Sequence, residues 1–93
     1  MNPDFVAVMT VANRYMEARN YRRAEEVLRE ALVQYPHNAR LLTELARSQH
    51  LLGEHKAAEP SIRQALAYAP EDAYAMRILA SILNELRLSL IHI

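Results

Sequence analysis

The sequence predicts an all-α protein: an α-α superhelix, or solenoid, of antiparallel helix-turn-helix repeats with five main helices. Three observations favour this fold. Apolar residues make up 52% of the 93-residue chain, they are mostly Ala, Leu, Val, Ile and Met, and glycine occurs once, which is typical of helices rather than strands. The chain resembles itself at an offset of 34 residues. Within each repeat, apolar residues recur at helical spacing.

The offset of 34 residues aligns the start and end signals of several helices. Asp4, Asn38 and Asp72 fall in register. Each is a good N-cap, because its side-chain oxygen accepts a hydrogen bond from a free N–H group of the next turn. Pro36 and Pro70 also align, and they should end second helices, since the residue before a proline disfavours the α conformation.

The periodicity and these signals place five helices in two full units, about 5–38 and 39–72, and a truncated unit, 73–87. The first helices are expected at about 5–18, 39–52 and 73–86, and the second helices at about 21–34 and 56–68. Gly53 suits the turn of unit two, because glycine adopts the left-handed conformation of a helix C-terminus without steric cost. Pro60 lies about one turn into a second helix, which we expect to start late or bend there.

Small residues mark the places where paired helices should approach most closely. They are Ala12, Ala46 and Ala80 in the first helices and Ala24 and Ala58 in the second helices. A large side chain there would push the pair apart, so Ala12→Leu or Ala58→Leu should cost roughly 1–3 kcal/mol. Gln49 takes the place of Tyr15, and we expect weaker packing under that turn.

Charged residues on the second helices are expected to face solvent. Glu25 and Arg29 lie four residues apart in the favourable order, and the pair recurs as Glu59 and Arg63. Each pair should stabilise its helix by roughly 0.2–0.5 kcal/mol. Glu25 and Glu26 form an acidic run of the kind that usually belongs to a solvated helix face.

The repeating unit resembles a known family. The matching residues of unit one are Val8, Val11, Ala12, Tyr15, Tyr21, Ala24, Leu28, Ala31 and Pro36, and those of unit two are Leu42, Leu45, Ala46, Gly53, Ala58, Ile62, Ala65 and Pro70. This 34-residue pattern is similar to the tetratricopeptide repeat over about residues 4–86. The resemblance implies a non-catalytic scaffold that binds a peptide or partner protein in its concave groove. The alternative is the N-terminal recruiting module of a larger enzyme, such as a transferase, or of a membrane-anchored assembly protein.

The resemblance also implies that the first helices line this groove. The candidate groove residues are Met9, Asn13, Met16, Arg40, Thr43, Glu44, Arg47, His50, Tyr74, Arg77, Ile78 and Ser81. Their arginines suit an extended peptide with acidic groups, while an ordinary polar solvated face is the alternative. Chaperone-binding members of the family use a carboxylate clamp of Lys, Asn, Asn, Lys and Arg. Only Asn13 matches it, so a chaperone's C-terminal carboxylate is not the expected ligand.

The remaining residues exclude several classes of function. The 11 basic and 11 acidic side chains cancel, so no net field attracts nucleic acid or a membrane. We interpret the arginine cluster of the first turn as solvated rather than as a nucleic-acid footprint; it comprises Arg14, Arg19, Arg22 and Arg23. The four histidines lack the spacing of a helical zinc site and cysteine is absent, so no metal, cofactor or catalytic residue is expected. With no leader or membrane-spanning run, a cytoplasmic location is expected.

The C-terminal residues break the repeat. After Leu86 the expected partner helix is replaced by an apolar tail, and residues 88–93 resemble the conceptual translation of a transposon end used in preparing sequencing libraries. We therefore expect a repeat domain at 1–87 and a non-native tail at 88–93, with the parent protein continuing past Arg87. A genuine tail that folds back over the last helix is the alternative. Either way, we expect the last helix to expose apolar surface and to favour self-association; the residues concerned are Ile78, Leu79, Ile82, Leu83 and Leu86.

Overall fold

The computed structural model describes the backbone of residues 3–91 and the side chains of residues 5–88. This part of the chain forms five α-helices and no strand: α1 (Pro3–Glu17), α2 (Tyr21–Gln34), α3 (Ala39–Leu51), α4 (His55–Tyr68) and α5 (Ala73–Ile91). Each helix packs against the next one along the chain, and α3 also contacts α5. The predicted all-α solenoid of antiparallel helix pairs is therefore confirmed.

The predicted caps fix the starts of two first helices. The side chain of Asn38 accepts a hydrogen bond from the N–H of Leu41 at 3.0 Å, and Asp72 accepts one from the N–H of Tyr74 at 3.0 Å. Both capping predictions are confirmed. α1 begins at Pro3, ahead of Asp4, whose side chain lies outside the described part, so its capping role stays a prediction.

The turns of units one and two share one backbone geometry. Gly53 has a positive φ of 86°, as predicted, and its N–H donates to the carbonyl of His50 at 3.0 Å. Arg19, one repeat earlier, has a φ of 61°, and its N–H donates to the carbonyl of Met16 at 3.0 Å. Such bonds close a helix C-terminus around a left-handed residue. The geometry thus belongs to the repeat, and unit one adopts it without glycine.

The second turn is packed differently from the first. The prediction that α4 starts late because of Pro60 is wrong: α4 begins at His55 and includes this proline in its second turn. Since Pro60 is exposed, the carbonyl that loses its N–H partner lies on the solvent side of the helix. Gln49, which replaces the tyrosine of unit one, is buried and accepts a hydrogen bond from the Ser61 hydroxyl at 2.9 Å. A polar link between α3 and α4 therefore takes the place of an aromatic contact.

Two apolar clusters hold the helices together. The first lies between α1, α2 and α3, and its buried members are Ala12, Leu28, Ala31, Leu41 and Leu45. The second lies between α3, α4 and α5, and its buried members are Leu42, Ala46, Ala58, Ile62, Ala65, Ala75, Ile78 and Ile82. Because α3 contributes to both clusters, it is the central helix of the fold. The alanines predicted at close approaches are buried in α1 to α4.

Glu25 departs from its predicted place on a solvated face, because only 4% of the residue is exposed. Arg22 contacts one of its carboxylate oxygens at 2.8 Å, and Arg29 contacts the other at 3.0 Å. Arg22 also contacts Glu54 of unit two at 2.9 Å. Burial acts to raise the pKa of Glu25, but the hydrogen bond and charge of Arg29, together with the charge of Arg22, hold it below its ordinary value. This carboxylate therefore anchors a network that joins the first two units.

The face of α5 that is covered differs from the predicted one. Ile78 and Ile82 were expected to contribute exposed surface, but both are buried, because they face the cluster shared with α3 and α4. The helix continues to Ile91 rather than ending near residue 86. Residues 88–91 thus extend α5 and do not fold back over it, while residues 92 and 93 lie outside the described part. The non-native origin of 88–93 stays a prediction.

Candidate peptide-binding groove

The first helices α1, α3 and α5 carry the predicted groove residues, but these differ widely in exposure. Asn13, Arg40, Arg77 and Ser81 are exposed. Met9, Arg47, His50 and Tyr74 are partly buried. Met16, Thr43, Glu44 and Ile78 are buried. The last four therefore lie beneath the surface, and the hydroxyl of Thr43 is already used in a 2.8 Å hydrogen bond to the carbonyl of Ala39.

A buried carboxylate joins α3 to α5. Glu44 is 2% exposed and accepts a hydrogen bond from the Tyr74 hydroxyl at 2.9 Å. Arg47, one turn further along α3, approaches the same carboxylate oxygen at 3.9 Å. Burial raises the pKa of Tyr74, and the charge and hydrogen bond of Glu44 raise it further, so the phenol stays protonated and keeps donating. Glu44 is therefore satisfied within the protein.

Tyr74 also positions a cation. The guanidinium carbon of Arg40 lies 5.6 Å from the centre of the Tyr74 ring, within the range of a cation–π interaction. Arg40 forms no ion pair with any described carboxylate, and the same holds for Arg77 on α5. These two exposed guanidinium groups keep their hydrogen-bonding capacity for a ligand.

The sequence analysis grouped these side chains but missed their pairing. Glu44 and Tyr74 are 30 residues apart, which is one repeat less one helical turn, so they face each other across the two first helices. An acceptor and a phenol at that separation in a 34-residue repeat are a signal that the sequence contained. The spacing of residues on neighbouring first helices, read at 30 rather than 34, would have found the contact.

His50 forms a close pair with His55 at the turn between α3 and α4. Their Nδ1 atoms are 3.1 Å apart, so one ring donates and the other accepts. Burial lowers the pKa of His50, and the charge of His55 lowers it further, while Glu85 on α5 acts in the opposite direction. The folded protein therefore favours a neutral His50.

This pair should make the stability of the protein fall as the solution is acidified from pH 7 toward about 5.5. The unfolded state, in which histidine titrates near about 6.5, binds more protons than the folded state, whose His50 pKa is depressed. Protonation below that value therefore favours unfolding. Urea midpoints of a His50→Gln variant should depend less on pH over this range. His37→Gln serves as the exposed control, and equal pH dependence in wild type and His50→Gln would contradict the assignment.

Other kinds of site find no support in the residues that the structure describes. Among them no three His, Asp or Glu side chains converge where they could hold a metal ion. The described helices include none that combines the length and the apolarity needed to cross a membrane. The arginines of the first turn are partly neutralised, since Arg22 pairs with Glu25 and Glu54, and Arg23 pairs with Glu26 at 2.9 Å.

Stacked antiparallel helix pairs of constant length, with exposed polar side chains along their first helices, define a helical-repeat binding scaffold. The chain belongs to the tetratricopeptide-repeat family, because the family model for this repeat matches residues 15–86. Tetratricopeptide repeats generally mediate protein–protein interaction, and domains built from them are typically non-catalytic scaffolds. Protein partners are therefore implied for this chain as well.

A solved structure supports the fold. The globular C-terminal domain of LpoP from P. aeruginosa superposes with a TM-score of 0.85 at 21% sequence identity, over 91% of this chain and 84% of that one. At this identity the similarity shows the fold and nothing further. No curated protein matches the chain in a sequence comparison.

Proposed function

We propose that the chain is a non-catalytic scaffold that binds an extended, acidic peptide segment of a partner protein along α1, α3 and α5. The observation that carries this proposal is the state of two cations on the predicted groove. Arg40 and Arg77 are exposed, and no described carboxylate pairs with either. Guanidinium groups in that state bind carboxylates through paired hydrogen bonds.

The third groove arginine has a different role. Arg47 lies beside Glu44, which is buried and whose charge needs a nearby cation. Replacing Arg47 would leave that carboxylate less well compensated, so a loss of binding there would mix folding with recognition. The ligand contacts are therefore assigned to Arg40 and Arg77, and Arg47 is assigned to the support of Glu44.

Tyr74 gives the groove a fixed point between these cations. Its hydroxyl is held by Glu44, and its ring lies under the guanidinium of Arg40. Both contacts reduce the freedom that Arg40 would lose on binding, which favours affinity. Partly buried Met9 and exposed Val6 on α1 offer apolar contact for another part of the same peptide.

The double variant Arg40→Ala/Arg77→Ala should weaken the binding of acidic peptides selected from a random library by about tenfold or more. The matched control is Arg23→Ala/Arg63→Ala, which removes the same charge from α2 and α4. Those arginines form exposed ion pairs with Glu26 and Glu59, so their loss should change little. Affinities are measured by fluorescence anisotropy at low and high salt.

Two results would count against the groove. Equal loss of binding in the groove and control variants would show that net charge, rather than position, attracts the peptide. Selection of peptides without acidic residues, with binding unchanged in the groove variant, would remove the two arginines from the proposal. Far-UV circular dichroism of all variants checks that the helices are retained.

A further inference from the structure

The outer face of α5 carries an apolar stripe that no described helix covers. The stripe consists of Ala73, Met76, Ala80, Leu83 and Arg87, all of them exposed. Met76 is 47% and Leu83 38% exposed, which is high for large apolar side chains arranged in one row. The opposite side of the helix, with Ile78 and Ile82, is buried in the core.

The equivalent face of α3 shows what this stripe is built to receive. One repeat earlier, Met76, Ala80 and Leu83 correspond to Leu42, Ala46 and Gln49, by an offset of 34. All three of those residues are buried, and α4 packs antiparallel on α3. The stripe of α5 therefore has the form of a surface that accepts an antiparallel helix.

The spacing of the stripe fits pairing between two identical helices. Its members are separated by three, four, three and four residues, which is the a and d pattern of a coiled coil. Partly buried Leu79 and Leu86 flank the stripe on its core side and widen it. Ala80 stands at its centre, where a small side chain lets two helix backbones approach closely.

We propose that two copies of the chain pair through this stripe, with the two α5 helices antiparallel and crossing at Ala80. This arrangement places Met76 of each copy opposite Leu83 of the other. It also brings Arg87 near the other copy's Glu71 and Asp72, at the start of α5. Arg87 and Glu71 are exposed and form no ion pair among the described side chains, so both charges are available. A twofold axis makes each of these contacts twice.

The end of α5 leaves the stripe open to a second copy. Residues 88–91 continue the helix, so they do not fold back over Met76 and Leu83. One pair of helix faces buries less than the roughly 1,200 Å² of a standard interface, so the dimer is weak and its dissociation constant lies in the micromolar range or above. This pairing is independent of the groove and of its ligand.

Sedimentation of the full chain from micromolar to millimolar concentration tests the pairing. Wild type should pass from monomer to dimer, and Ala80→Glu should raise the dissociation constant more than about a hundredfold, because two like charges then meet at the axis. Ala67→Glu, the same change at an exposed position of α4, is the matched control and should dimerise as wild type does. A wild-type monomer at every concentration would overturn the proposal and assign the stripe to a following helix.

Charge exchange tests the antiparallel orientation. Arg87→Glu should weaken the dimer about tenfold, since it places like charges beside Glu71 twice per dimer. Adding Glu71→Arg to this variant should restore the affinity to within about threefold of wild type, because the two opposite charges again meet. Failure of the double variant to recover would overturn the antiparallel arrangement.

Head-to-tail association is separated by a variant of α1. Val11 is 40% exposed on the first helix, far along the chain from the stripe. Val11→Glu should leave the dimer unchanged under the proposal. Loss of association in Val11→Glu would show that α1 of one copy covers α5 of the next, and the symmetric pairing would then be wrong.

Discussion

Ile62→Ala should lower the free energy of unfolding by about 2–5 kcal/mol, the range measured when a large aliphatic side chain is removed from a packed core. Ile62 is fully buried in α4 and belongs to the cluster that joins α3, α4 and α5. Its removal takes apolar contacts from three helices at once and leaves a cavity that rigid helix pairs cannot close. Urea unfolding followed by circular dichroism measures the loss.

Val33→Ala is the matched control, since Val33 is an aliphatic residue on α2 with 81% of its surface exposed. Its truncation should change the free energy of unfolding by no more than about 0.5 kcal/mol. Both variants are measured at concentrations where the chain is monomeric, so that association does not add to stability. Equal effects of the two truncations would show that α4 is not packed into the core.

The repeat explains why so much of the fold could be predicted from the sequence. A constant period places caps, small residues and turn signals at equivalent points, so each prediction in one unit is checked by the other. Asn38, Asp72 and Gly53 act as predicted, because capping and left-handed turns depend on a few neighbouring residues. Burial of Ala46 and Ala58 follows from the same period.

Contacts that depend on three-dimensional placement could not be predicted in this way. Glu25 belongs to an acidic run that suggests solvent, yet Arg22 and Arg29 surround its carboxylate and allow its burial. α5 is apolar on two sides, so its sequence does not show whether Ile82 or Leu83 faces the core. The structure decides this, because α3 and α4 reach only one side of the helix.

The candidate groove lies between these two cases. The family pattern selects the first helices, and the exposure of Arg40 and Arg77 agrees with their proposed role. The burial of Thr43 and Glu44 was not visible in the pattern, because both lie on the side of α3 that meets its neighbours. Exposure therefore reduces the predicted groove to the side chains that a peptide can reach.

Ala58→Leu should lower the free energy of unfolding by roughly 1–3 kcal/mol, although it adds apolar surface. Ala58 is fully buried in the same cluster as Ala46, where α3 and α4 approach each other. Three further carbon atoms have no space there, so the helix pair must separate or the side chain must adopt a strained rotamer. Ala12→Leu should act in the same way between α1 and α2, because Ala12 is also buried.

The neighbouring Ala57 provides the control that separates packing from composition. Ala57 lies on the same helix, precedes Ala58 directly and is exposed. Ala57→Leu makes the same chemical change with nearly the same effect on helix propensity, so it should leave the urea midpoint almost unchanged. If Ala58→Leu were as stable as Ala57→Leu, α3 and α4 would not meet through their alanines. A difference of the expected size would instead assign the repeated alanines the role of setting the distance between paired helices.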